Sequence, residues 1–66
     1  MDMKLRMLKD VTVEVERPFQ GMTDTCLRKW DELSVDKVIN YGSFADLILE
    51  NGETLLWVPV ASFSAL

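Results

Sequence analysis

The chain has 66 residues, a net charge of -4 at pH 7, one cysteine and no histidine. A lone Cys26 cannot close an intramolecular disulfide, and a zinc site normally draws four ligands from Cys and His, so both common staples of small domains are excluded. No apolar run reaches the roughly 18 residues of a membrane-spanning helix, Met1 to Lys9 alternates charged and apolar residues unlike a signal-peptide core, and a 48% hydrophobic content argues against disorder.

These exclusions leave one soluble cytoplasmic domain over residues 1–66, with no cofactor and no metal. A domain of this size buries only about 60% of its unfolded surface. Help must come from an efficient core, such as a closed β-barrel, or from self-association.

In chain order, Met3, Leu5 and Met7 alternate with Lys4 and Arg6, and Val11, Val13 and Val15 alternate with Thr12, Glu14 and Glu16. Period 2 with β-branched residues predicts two half-buried strands, with a bulge or bend at Lys9-Asp10. Arg17-Pro18-Phe19-Gln20-Gly21 predicts a turn, because Pro18 lacks a ladder donor and Gly21 accepts positive φ.

Residues 22–41 admit two readings. A helix over 25–41, capped by Thr23 or Thr25 and stopped at Gly42, would gather Cys26, Leu27, Trp30, Leu33, Val38 and Tyr41 on one face; the fold would then be α+β. The favoured reading is a loop or short helical segment around 24–33, then a strand over Val35–Tyr41. Phe44–Glu50 and Thr54–Val58 read as a hairpin about Asn51-Gly52, a pair suited to a type I′ turn with positive φ at both residues. Trp57, mid-strand, reads as core or half-core. Val60–Phe63 suits a 3₁₀ turn, and Ser64–Leu66 a last short pairing.

This order, and above all Lys37-Val-Ile-Asn-Tyr-Gly42, Ala45-Asp-Leu-Ile-Leu-Glu-Asn-Gly52 and Leu55-Leu-Trp-Val-Pro-Val-Ala-Ser62, resembles the SH3-like small β-barrels, which include Tudor, KOW and Sm-like relatives. The resemblance covers roughly residues 35–64. It implies a mainly β barrel of about five strands and no particular activity. The acidic and paired-Trp signature of peptide-binding SH3 domains and the Sm-like RNA residues are missing.

Function is read from charge and aromatics. Residues 1–30 hold six Lys/Arg and five acids, whereas residues 31–66 hold Lys37 against six acids. The acidic half opposes nucleic acid and anionic membrane. No histidine, no phosphate-cradling Gly loop and scattered acids leave no catalytic constellation. Cys26 reads as a small buried apolar residue despite Arg28 and Lys29 nearby.

Trp30, in a polar loop, reads first as an apolar anchor packed over the barrel mouth and second as a partner-facing hot spot; Phe19, in a Pro-Gly loop, carries the same two readings, and both are the candidate partner-binding aromatics. Asp46, Glu50 and Glu53 either solvate the hairpin or steer a basic partner. The expectation is a non-enzymatic protein–protein interaction or regulatory module, of a size common among phage and mobile-element proteins. Its partner would be an unidentified, basic protein, and a homodimer or higher oligomer is expected. The alternative is a nucleic-acid-binding small β-barrel.

Overall fold

Alternating apolar residues turn inward at Leu5 and Met7, at Val13 and Val15, and at Ala45 and Leu47. The computed structural model describes residues 3–66. Its strands are β1 (Met3–Met7), β2 (Val11–Arg17), β3 (Gly21–Leu27), β4 (Glu32–Asn40), β5 (Phe44–Leu49), β6 (Thr54–Pro59) and β7 (Phe63–Ala65), with a single 3₁₀ turn at Val60–Ser62. All ladders are antiparallel, in the order β3-β2-β6-β5-β4-β1-β7.

The fold is mainly β, as expected, but with seven strands instead of about five. Residues 22–41 hold neither the helix over 25–41 nor a helical segment around 24–33. Thr23 and Thr25 belong to a strand that pairs with β2 residue for residue, from Arg17↔Gly21 to Val11↔Leu27. β-Branched residues beside a ready-made strand favour the ladder over a helix cap. Leu27 then turns inward to the core and Trp30 does not.

The core is Leu5, Met7, Val13, Val15, Leu27, Val35, Ala45, Leu47, Leu55 and Val58, all buried. Val11–Val15 is interior to the sheet: β2 lies between β3 and β6. The 3₁₀ turn and β7 fall within one residue of where the sequence places them, and buried Ser62 donates its hydroxyl to the Pro59 carbonyl at 2.6 Å.

The β5–β6 turn differs from expectation. Gly52 has φ +90°, but Asn51 is not in the positive region. The Gly52 N–H reaches Leu49 O at 3.1 Å and the Leu49 N–H reaches Glu53 O at 2.8 Å, closing a three-residue loop. Asn51 Oδ1 accepts from the Glu53 N–H at 2.9 Å. That side-chain bond holds a local Asx turn, and only the glycine needs a left-handed backbone.

Two irregularities shape the outer face of the sheet. In β4 the register shifts between Val35 and Lys37. Val35 and Val38 therefore both serve the inner side while Lys37, Ile39 and Tyr41 continue outward. Between β5 and β6 the register shifts between Ala45 and Leu47, so that Leu56 and Trp57 together oppose Asp46. This is the two-against-one arrangement of a β-bulge.

Candidate functional site: an exposed aromatic cluster on a bulge

The β6 bulge determines where Trp57 goes. Strict alternation after buried Leu55 would send Trp57 inward. With the extra residue, Val58 takes the buried place and Trp57 stands 62% exposed. Trp57 is thus not the core residue its mid-strand position suggests. Its φ of +53° lies in the left-handed region, where a bulky L residue is strained by about 1–2 kcal/mol.

Local interactions offset that strain. The Trp57 N–H, displaced from the ladder, donates to Asp46 Oδ1 at 3.1 Å. The other oxygen of Asp46 accepts from the Tyr41 hydroxyl at 3.2 Å. The Tyr41 ring stacks on Trp57 with centroids 5.8 Å apart and an interplanar angle of 26°. Phe44 meets Trp57 edge-on at 5.5 Å and 70°. Such pairs contribute about 0.5–1.5 kcal/mol beyond area burial.

Tyr41 and Phe44 flank the Gly42-Ser43 turn. Asn40 Oδ1 accepts from the Gly42 N–H at 2.7 Å, and the Tyr41 N–H reaches Phe44 O at 2.8 Å, so the turn is tied at both sides. Three rings thus stand in solvent around one carboxylate. The hydrogen bond to Asp46 and its negative charge raise the Tyr41 pKa above the ordinary tyrosine value, because a phenolate there would lose the bond and face like charge.

The residues singled out from sequence do not converge. Asp46 lies at the centre of the aromatic cluster. Phe19 sits on the β2–β3 turn, fully exposed at φ +64°. Beside it is the β5–β6 turn: a Cβ on Gly52 would lie 3.5 Å from Pro18 Cγ. Glu50 and Glu53 belong to that turn, and Glu53 is bound to Arg17 at 2.7 Å, so it is part of an ion pair.

Trp30 lies between β3 and β4, 61% exposed at φ +74°. At that exposure it is not a buried cap on the core. Its N–H holds Met7 O at 2.8 Å, and the Lys29 ammonium sits 4.9 Å from its ring centroid. Cys26, expected to be buried, is exposed because it points outward beside Thr12 on β2.

Tyr41, Phe44 and Trp57 were not legible as a group. The available signal was a pair of aromatics bracketing a Gly-Ser turn; the bulge that delivers the third ring leaves no mark in an apolar run such as Leu55–Val58. Among the described residues no group of three or more potential ligands is placed to hold a metal, and no helix is long and apolar enough to cross a membrane. The chain matches no protein-family model, and no curated protein or solved structure is significantly similar to it.

Proposed function

We propose that this chain is a small, non-enzymatic protein–protein interaction module, and that its partner is gripped at Tyr41, Phe44 and Trp57. The supporting observation is that Trp57, the ring that Tyr41 and Phe44 both contact, is held in solvent by a left-handed backbone that costs stability. Among the described residues, three non-glycine residues have positive φ, namely Phe19, Trp30 and Trp57, and all are exposed aromatics. Strain of this kind persists where surrounding structure enforces it, and it gathers at recognition sites. Exposed Trp and Tyr are also the side chains most enriched among binding hot spots.

Within this reading Trp57 is the central anchor, Trp30 and Phe19 are anchors of neighbouring surfaces, and the acidic second half steers a basic partner. The order of β4–β7, with a hairpin, a 3₁₀ turn and a short last strand, supports placing the fold among the SH3-like small barrels.

The test uses tagged wild-type chain and Trp57→Gly, which keeps the left-handed backbone while deleting the ring. A protein captured from the native host is purified and titrated against both. A loss of at least tenfold in affinity with an unchanged circular-dichroism spectrum is expected. Equal affinity of the two chains overturns the reading.

A second reading, nucleic-acid binding, draws on the same observation, because exposed rings can stack on bases. The Asp46 carboxylate among them and the excess of acids after Trp30 weaken it. Quenching of tryptophan fluorescence by single-stranded oligonucleotide at low salt would decide for it.

A further inference from the structure

Natural sheets blunt their edges with short strands, Pro, Lys or bulges. β3 is an edge of the sheet with no Pro, Lys or bulge, and its one charge is Asp24. It has seven residues, Gly-Met-Thr-Asp-Thr-Cys-Leu, and seven unbroken pairs with β2. Beyond that ladder, no backbone–backbone hydrogen bond among the described residues involves Gly21–Leu27.

Six of its seven residues are exposed or half-buried, and Met22 is 53% exposed. The other edge, β7, has only three residues.

The charges beside this edge have one sign. On the outer face Asp24 pairs with Glu14 and Met22 with Glu16. An open depression lined by Glu14, Met22, Thr23 and Asp24 lies there. The nearest base on β2, Arg17, is held by Glu53 at 2.7 Å. Arg28 and Lys29 follow only beyond the Leu27 end.

We infer that β3 receives an extended basic segment of another protein, which adds to the sheet as an eighth strand with a Lys or Arg opposite Asp24. Main-chain hydrogen bonds would supply affinity, and alternate side chains the specificity. The residues facing Met22 and Cys26 would be apolar, and those facing Thr23 and Thr25 β-branched.

A second copy fits less well. Antiparallel self-pairing with full overlap sets Gly21 against Leu27 and Asp24 against its own counterpart, a like-charge pair directly opposite. Each chain also carries a net charge of -4.

The inference rests on the reading of the chain as an interaction module. Its test reads out at β3, two strands from Trp57, so the two can fail separately.

The test titrates the chain at low salt with a capped synthetic peptide, Thr-Val-Thr-Lys-Thr-Val-Thr, and with the same peptide carrying Glu in place of Lys. Amide resonances and hydrogen exchange are followed. The expected result is perturbation and protection along Gly21–Leu27 by the Lys peptide, and at least tenfold weaker binding of the Glu peptide. Asp24→Lys, an exposed change, should reverse that order.

No perturbation at millimolar Lys peptide, perturbation confined to other strands, or equal binding of both peptides overturns the inference. So does a dimer in sedimentation equilibrium whose β3 amides are already protected without peptide.

Discussion

At the scale of single residues, Trp57 shows how an apolar side chain in mid-strand comes to face water. Its backbone conformation suits glycine better than any L residue. Trp57→Gly should therefore be more stable than Trp57→Ala by about 0.5–1 kcal/mol, since relief of left-handed strain outweighs the extra chain entropy of glycine. Urea denaturation of the two variants checks this; at an ordinary strand position the order is the opposite.

Asp46 ties Trp57 to Tyr41. Asp46→Asn removes the charge and should lower the Tyr41 pKa toward its ordinary value, read by ultraviolet titration of the phenol. Because the folded pKa is raised, the contribution of neutral Tyr41 to stability is complete below the unfolded tyrosine pKa. It is lost as pH rises through the folded value, so the wild-type chain should weaken on the alkaline side in a step that Asp46→Asn reduces. Trp30 is largely exposed, and Trp30→Ala should change stability by only about 0.5 kcal/mol in a thermal melt.

At the scale of elements, the two turns at the Phe19 end of the sheet are where glycine matters. Gly52 at φ +90° has an ordinary van der Waals neighbour, Pro18 Cγ, at 3.5 Å. Gly52→Val is therefore opposed by backbone strain more than by crowding and should cost about 1–2 kcal/mol or more. Asn51→Gly separates the observed loop from a type I′ turn. In the latter a glycine would be welcome; here it deletes the Asn51 bond to the Glu53 N–H, and the denaturation midpoint should fall by an amount equal to about 1 kcal/mol. The Arg17–Glu53 pair is partly exposed, and Arg17→Ala should cost no more than about 1 kcal/mol, less as salt rises.

The hairpin itself was legible because Glu50-Asn-Gly-Glu53 stands between two apolar runs. Its turn type was not, since Asn serves equally by adopting positive φ and by bonding its own backbone. β3 was missed for a similar reason: Thr23 and Thr25 are helix caps in one context and strand formers in another, and only β2 alongside decides.

At the scale of the molecule, stability rests on ten buried apolar residues and no covalent or metal staple among the described residues. Leu47 is wholly buried at the middle of β5. Leu47→Ala should cost about 2–5 kcal/mol, which is comparable with the whole net stability of about 3–5 kcal/mol that so small a core supplies. The variant should be largely unfolded at ambient temperature by circular dichroism.

The sequence alone favoured the β class and determined the inward faces of β1 and β2, the places of the turns at Gly21 and Gly52, and the closing 3₁₀ turn. Each of these follows from period-2 alternation or from local backbone chemistry carried by adjacent residues. Tertiary structure decided the rest. Whether 22–41 became helix or strands depended on the hydrogen-bonding edge of a neighbouring strand. Whether Trp57 faced the core or solvent depended on one extra residue in a ladder with β5, and a register shift between strands reverses the face of a side chain without changing any residue near it.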